Sequence, residues 1–224
     1  TAVDLANDPY VAWTVEHAEG IWMAGGDQAT YVNNWKGTEL EDAMHAAWER
    51  GAAIGGTSAG LAVLGEFAFS ALNDTVYPEE MLEDPYNMYA TMEDDFLVFP
   101  PLAGVVTDSH FAQRDRMGRV IGFMARVVAD GWASSVTGIG IDEQTAMVIA
   151  PSGDAEVMGD GSVYIVQHDA PPSQCVAGQT LEWADLQVHK LSDGDTASFP
   201  GGSTSVPAYP VSASAGVLDP ASPY

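Results

Sequence analysis

Residues 52–64 read AAIGGTSAGLAVL, a short apolar segment, a glycine-rich turn and a second apolar segment. The first segment predicts a buried strand, and the residues from Leu61 onward predict a helix. The turn between them, residues 56–60, fits the pattern G-x-S-x-G, in which a sharp strand-to-helix turn exposes the hydroxyl of Ser58. Taken alone, these residues fit a tight glycine turn of a nucleotide-binding type of fold equally well.

Further strands and helices are predicted on both sides of this turn. Apolar segments at 20–24, 104–107 and 138–141 predict strands, and helical patterns at 38–50 and 112–129 separate them. This alternation predicts an α/β fold with a doubly wound, mostly parallel sheet and right-handed crossovers. Two segments at 146–150 and 155–158 predict a β-hairpin, and the alternating residues 186–191 predict an edge strand.

The expected organisation is one α/β domain with an appended C-terminal segment. Residues 1–170 form the predicted α/β domain, and residues 171–224 form a β or extended tail packed on the same domain. The stretch 70–101 is polar, aromatic and acidic without a clear period, which predicts an ordered excursion over the surface. No run approaches the eighteen or so apolar residues that a transmembrane helix needs.

The carboxyl ends of the four predicted strands deliver reactive side chains to one place. In parallel doubly wound sheets these ends meet at one edge, where ligands bind. A nucleophilic serine needs a base and an orienting carboxylate, and His110 and Glu143 follow the third and fourth strands. We therefore expect Ser58, His110 and Glu143 to be catalytic, with the backbone amides of Gly26 and Ala59 as an oxyanion hole.

The charge balance limits the classes of partner. Lysine and arginine together number 7 and aspartate and glutamate 32, which gives a net charge of −25. Such a field disfavours nucleic acid and anionic membranes and favours cationic or zwitterionic ligands. Four of the seven basic residues nevertheless lie between Arg114 and Arg126, which marks this segment as a candidate binding site. Cys175 is the single cysteine, so a cysteine-based zinc site is excluded, and we expect no metal and no organic cofactor.

Four blocks of sequence together resemble one known family. They are GGDQ at 25–28, GTSAG at 56–60, DSHFAQRDRMGR at 108–119 and GIGIDEQTA at 138–146. In this order they are similar to the cyanophycinase branch of the S51 serine peptidases. An α/β-hydrolase would carry its acid before the histidine, and a class I glutamine amidotransferase, of related architecture, would carry cysteine at position 58.

The resemblance implies a fold, a reaction and a set of binding residues. It implies a three-layer sandwich like that of class I glutamine amidotransferases, with Ser58, His110 and Glu143 as a triad acting through an acyl-enzyme. It implies that the substrate, a β-aspartyl-arginine unit of cyanophycin, is surrounded by five side chains, those of Gln28, Asp108, Arg114, Arg116 and Arg119. Arginine suits carboxylate recognition, and acids such as Asp108 suit a guanidinium.

Two departures from the family pattern leave alternatives open. Ser109 stands where cyanophycinases commonly carry glutamine, so another aspartyl or isopeptide substrate is one alternative; a non-catalytic acidic binding scaffold is the other. The family's sheet begins several strands before the GGDQ turn, so we expect strands N-terminal to this sequence, with an N-terminal fragment of the same precursor as a partner chain if the precursor is cleaved. A homodimer is a further candidate assembly. The excursion and tail resemble those of secreted members of the family.

Overall fold

Helices and strands are interspersed up to residue 141, and strands alone follow. The computed structural model describes residues 1–224. The α-helices are α1 (Ala2–Ala6), α2 (Pro9–Glu16), α3 (Gln28–Trp35), α4 (Glu39–Glu49), α5 (Ala59–Ala62), α6 (Pro78–Glu83) and α7 (Met117–Ala129). The strands are β1 (Gly20–Met23), β2 (Ala53–Gly56), β3 (Ala68–Phe69), β4 (Met92–Glu93), β5 (Val105–Ser109), β6 (Thr137–Ile141), β7 (Thr145–Ile149), β8 (Asp154–Gly159), β9 (Val163–Gln167), β10 (Trp183–Leu191), β11 (Thr196–Ser198), β12 (Ala208–Ser214) and β13 (Val217–Asp219).

The four strands predicted to be parallel form two parallel pairs. Strands β1 and β2 pair with Met23 opposite Gly56, and β5 pairs with β6. The second pair is one end of a six-stranded sheet in the order β13-β12-β10-β9-β6-β5, whose remaining pairings are antiparallel. The α/β class and its parallel strand–helix–strand units are therefore confirmed, with a mixed sheet in the C-terminal half.

The six-stranded sheet is covered on both faces, because its side chains alternate between two cores. One core of 24 buried residues joins this sheet to the apolar side of α7, including Val120, Phe123 and Met124. The other core joins alternate sheet residues such as Ile139 and Ile165 to the hairpin β7–β8 and to β11. The predicted hairpin is thus present, and it serves as the third layer of the molecule.

The excursion at residues 70–101 is ordered and attached at several points. Helix α6 packs against α7, where Met81 and Leu82 contact the glycine positions of that helix. The ammonium group of Lys36 at the end of α3 lies 2.5 Å from Glu93 and also pairs with Asp95. Phe96 and other buried residues near the end of the excursion join the core beneath β1 and β2. The excursion is therefore held against both halves of the molecule.

The sheet margins differ in part from expectation. Residues 186–191 do form a strand, as part of β10, but the prediction that this strand lies at an edge is wrong. It pairs with β9 on one side and with β12 on the other, so it lies inside the sheet. Strand β1 pairs with β2, and Trp22 on β1 is 70% exposed. The expectation of further N-terminal strands stays a prediction. None of the helices has the length and apolarity needed to cross a bilayer.

Candidate active site

The turn after β2 holds Ser58 in a strained conformation. Its φ is 54° and its ψ is −115°, and it caps the short helix α5. A Cβ atom at Gly60 would stand 2.6 Å from the carbonyl carbon of Met23, and one at Gly56 would stand 2.9 Å from the amide nitrogen of Leu61. Only glycine fits at both positions, which explains why the serine is flanked by glycines two residues away on each side.

His110 connects Ser58 to Glu143. Its Nε2 lies 2.9 Å from Oγ of Ser58, and its Nδ1 lies 2.7 Å from Oε1 of Glu143. His110 directly follows β5, and Glu143 follows β6 by two residues, so the parallel pairing of these strands brings the two side chains together. A serine hydroxyl bonded to an imidazole that is oriented by a carboxylate is the arrangement needed for nucleophilic attack on a carbonyl.

Ser58 lies in a cavity of about 760 Å³. The predicted oxyanion residues Gly26 and Ala59 both line it, and neither backbone amide donates a hydrogen bond to another group of the protein. Gln28 lines the same cavity, and its Nε2 donates to the carbonyl of Phe69 at 3.3 Å. The cavity thus combines a hydroxyl, unpaired amide donors and a side-chain amide, which suits binding of a peptide carbonyl.

Asp108 and Arg119 form a buried ion pair at the base of the cavity. Nε of Arg119 lies 2.6 Å from Oδ2 of Asp108, and Nη2 lies 2.6 Å from Oδ1. The guanidinium also donates through Nη1 to the hydroxyl of Thr75 and the carbonyl of Val76, at 3.4 and 3.3 Å. Its Cζ atom lies over the ring of Phe69, 5.2 Å from the ring centre. Every donor nitrogen of Arg119 is therefore used within the protein.

Arg116 and Arg114 differ from Arg119 in how their donors are used. Nη1 of Arg116 donates to Asp108 at 3.1 Å and to the carbonyl of Ser109 at 2.7 Å, and its other nitrogens have no recorded partner. Burial, opposed by Asp108 and assisted by the neighbouring arginines, lowers the pKa of Arg116 to about 10. Arg114 is exposed, and its side chain forms no hydrogen bond or ion pair within the protein. The three predicted arginines therefore differ. Arg119 uses all its donor nitrogens within the protein, Arg116 uses one of them, and Arg114 uses none.

The five predicted binding residues all line the cavity, but Asp108 is not available to a cationic ligand. Its two oxygens already accept from Arg116, Arg119 and the amide of Ser109, and its side chain is 2% exposed. The interpretation of Asp108 as the acceptor of a substrate guanidinium does not agree with these contacts. Asp108 instead orients the two arginines.

The sequence alone did not identify one wall of the cavity. Residues 71, 72 and 74–78 of the excursion line it, among them Asp74 and Tyr77. The excursion has no helical or strand period, so no sequence signal indicated which of its residues would face Ser58. No three His, Cys, Asp or Glu side chains are grouped so that they could hold a metal ion.

The sequence matches one family model and several curated relatives. The model of peptidase family S51 matches residues 2–153. Cyanophycinase of Synechococcus elongatus is 32% identical over 181 residues, which cover 79% of this chain and 51% of the relative. Cyanophycinase of Trichormus variabilis is 31% identical over 188 residues, which cover 81% of this chain and 57% of the relative. The chain therefore spans about half the length of the curated relatives that it matches.

A solved structure shares the fold. The crystal structure of a peptidase from an acI-B1 actinobacterium superimposes with a TM-score of 0.56 at 21% sequence identity, covering 87% of this chain and 65% of the other. The four sequence blocks around Ser58, His110 and Glu143 lie within the residues that the family model matches. The chain belongs to peptidase family S51.

Proposed function

We propose that this protein is a serine peptidase that hydrolyses β-aspartyl-arginine units of cyanophycin. The observation that carries the proposal is the position of His110, which lies within hydrogen-bond distance of both Ser58 and Glu143. Membership of family S51 and similarity to two named cyanophycinases support the same reaction class and substrate. The cavity beside Ser58 contains free arginine donors, which suit the carboxylates of such a substrate.

The reaction proceeds in two steps. In the first step Oγ of Ser58 attacks the scissile carbonyl carbon while Nε2 of His110 takes the hydroxyl proton. The amides of Gly26 and Ala59 donate to the negative oxygen that develops, and Glu143 stabilises the imidazolium. The C–N bond then breaks as His110 returns the proton to the leaving amine nitrogen, which leaves an acyl-enzyme on Ser58.

In the second step a water molecule replaces the amine. His110 removes a proton from this water as its oxygen attacks the ester carbonyl, and the proton returns to Oγ of Ser58 when the acyl group leaves. Glu143 keeps the Nδ1 proton directed at its own carboxylate, so that Nε2 remains the basic nitrogen towards the substrate. The chain's own residues therefore account for every proton transfer in the cycle.

The test measures dipeptide release from purified cyanophycin, identified by mass. We expect the parent protein and the variant Ser134→Ala to release β-Asp-Arg, because Ser134 is exposed and lies outside the cavity. We expect Ser58→Ala to release none above background, since loss of a serine nucleophile costs up to about 10⁶-fold in kcat. Equal release by Ser58→Ala would contradict the assignment of Ser58, and no release by the parent would contradict the substrate.

Ser109 favours a second candidate substrate class. It follows Asp108 directly, it is buried, and it lines the cavity. A small hydroxyl leaves more room there than glutamine would, which suits a different aspartyl or isopeptide substrate. A panel of cyanophycin-like peptides that carry different residues on their aspartate side chains distinguishes the two candidates, because a cyanophycin-specific enzyme cleaves the arginine-bearing peptide with the highest kcat/KM. Labelling of Ser58 by a fluorophosphonate without cleavage of the arginine peptide would favour this second candidate.

A further inference from the structure

The cavity needs a partner for the substrate's guanidinium that is not Asp108. Both oxygens of Asp108 are occupied by three groups of the protein, and its side chain is almost completely buried. A carboxylate that is 2% exposed and already paired with two arginines is poorly placed to bind a second cation from the cavity. The proposed substrate nevertheless carries one guanidinium per unit, and burying a guanidinium without a partner is costly.

Two other carboxylates line the cavity, those of Asp27 and Asp74. The Oδ1 atom of Asp27 caps helix α3 by accepting from the amide of Ala29 at 2.9 Å. The Oδ1 atom of Asp74 accepts from the amide of Thr75 at 2.7 Å. Neither carboxylate takes part in any ion pair, and Oδ2 of each has no partner within the protein. Of the two, only Asp74 is free of a helix-capping role.

Asp74 lies in the wall of the cavity that contains Ser58. Asp74 is exposed and belongs to the part of the 70–101 excursion that lines the cavity. The next residue, Thr75, accepts a hydrogen bond from Arg119, which lines the same cavity. Tyr77, three residues further along this wall, also lines the cavity and is 57% exposed. The wall therefore offers a free carboxylate and an exposed aromatic ring, and these groups bind a planar guanidinium through charge-assisted hydrogen bonds and cation–π contact.

The protein holds one of its own arginines by the same chemistry. Nε of Arg126 lies 2.9 Å from Oδ2 of Asp130, and its guanidinium carbon lies 4.0 Å from the ring centre of Tyr86. The hydroxyl of Tyr86 in turn donates to Asp130 at 2.6 Å. Nη1 of Arg126 also donates to the carbonyls of Pro85 and Ala90, so an aspartate and a tyrosine supply the charged and aromatic contacts of this arginine head group, together with backbone acceptors.

We infer that Asp74, with the ring of Tyr77, binds the guanidinium of the β-aspartyl-arginine unit, while Arg114 and Arg116 bind its carboxylates. The inference rests on the proposed function for the identity of the ligand. It makes the excursion the specificity-determining wall of the site, and it assigns Asp108 to the orientation of arginines. The positive and negative groups of a zwitterionic substrate then have separate partners in one cavity.

The test compares two ligands that differ in the charge of one side chain, because a ureido oxygen replaces one NH2 group of the guanidinium. β-Asp-Arg and β-Asp-citrulline have nearly the same shape, and the citrulline side chain is neutral. Their dissociation constants are measured by calorimetry on Ser58→Ala protein, which prevents turnover, with and without Asp74→Asn. Asparagine tolerates the positive φ of 89° at this position, so the loop is expected to keep its conformation. The control is Asp94→Asn, an exposed acid of the same excursion outside the cavity.

We expect protein with Asp74 to prefer the arginine peptide by about tenfold or more, because one charge-assisted pair is lost with citrulline. Asp74→Asn removes this preference, and Asp94→Asn keeps it. Retention of the preference in Asp74→Asn, or equal binding of both peptides by protein with Asp74, overturns the inference. Cleavage by the parent protein, at equal kcat/KM, of two cyanophycin-like peptides that carry arginine or citrulline on their aspartate side chains would overturn this inference alone. Charge preference without cleavage would instead overturn the proposed reaction.

Discussion

Arg119 and Asp108 face each other in a bidentate pair, with Nε and Nη2 of the arginine each 2.6 Å from one oxygen of the aspartate. The side chains are 4% and 2% exposed. The pair connects α7 to the end of β5, and Thr75 and Val76 attach the excursion to the same guanidinium. Three parts of the molecule that line the cavity are therefore joined at one buried group.

Replacing Arg119 with methionine is expected to destabilise the protein strongly. Methionine fills much of the same volume but leaves the buried Asp108 carboxylate with Arg116 as its single charged partner. Breaking a buried ion pair from one side costs about 3–5 kcal/mol. The free energy of unfolding is measured by urea denaturation. Arg114→Met, which removes an exposed and unpaired arginine, is expected to change it by less than about 0.5 kcal/mol. Equal effects of the two variants would contradict a supporting role for Arg119.

The sequence predicted which elements carry the site better than it predicted what each side chain contacts. Ser58, His110 and Glu143 could be grouped because each follows a strand and parallel strands end at one edge. The arginines at 114, 116 and 119 look alike in sequence, but only Arg119 lies within α7, where it donates to both oxygens of Asp108 and to Thr75. Pairing of buried charges depends on three-dimensional packing, so no spacing rule could distinguish them.

Gly60 provides a test of the strained turn. A Cβ at this position would press against the backbone of Met23, whereas one at Gly20 would lie 3.8 Å from the nearest atom, an ordinary contact. We expect Gly60→Ala to cost about 1–3 kcal/mol of unfolding free energy, the usual range for overpacking, and to slow fluorophosphonate labelling of Ser58. Gly20→Ala serves as the control and is expected to label at the parent rate. A normal labelling rate in Gly60→Ala would show that the turn tolerates the displacement.

In the C-terminal half, the alternation of apolar and polar residues did not correctly predict the position of a strand in its sheet. Residues 186–191 alternate, which fits a strand with one solvated face and predicts a strand at the edge of the sheet. Strand β10 instead has partners on both sides because Ala208–Ser214 adds to it, with Val211 buried at that junction. Alternation reports which face of a strand is buried. It does not report whether the strand's two hydrogen-bonding edges are occupied, and that requires knowledge of a segment about twenty residues away.

Glu41 is expected to reduce stability as the pH rises. Burial raises the pKa of this carboxyl above its ordinary value of 4.5, although the amide of Gly37 donates to it at 2.5 Å. Because the folded state then holds the proton more tightly than the unfolded state, stability falls as the pH rises from about 4.5 through the higher folded pKa. Glu41→Gln removes this loss.

The measurement is urea unfolding of parent and variant at about pH 4 and about pH 7. The free energy of unfolding of Glu41→Gln, relative to the parent, is expected to increase between the two pH values. Glu39→Gln, an exposed glutamate in the same helical turn, is the matched control and should show no such increase. A relative stability of Glu41→Gln that is constant or falls with pH would contradict the assigned direction.

Tyr224 supports the segment that carries the arginines from the opposite end of the chain. Its hydroxyl accepts from the amide of Met117 at 2.8 Å, at the first residue of α7. Its ring meets Phe111, the neighbour of His110, edge-on at 5.9 Å and Tyr164 at 5.7 Å. Burial raises the pKa of the Tyr224 hydroxyl, which keeps it neutral in this environment.

Tyr224→Phe retains the ring contacts and removes the acceptor for the Met117 amide. An amide left without a partner in a partly buried place costs about 1–3 kcal/mol, so we expect a loss of unfolding free energy in that range. Tyr10→Phe is the control, because Tyr10 is 74% exposed and its hydroxyl has no partner within the protein. If Tyr224→Phe were as stable as Tyr10→Phe, water would have to satisfy the Met117 amide equally well. The start of α7 would then be set by the Phe111 and Tyr164 ring contacts alone, and Tyr224→Leu, which removes those contacts too, would show the whole effect.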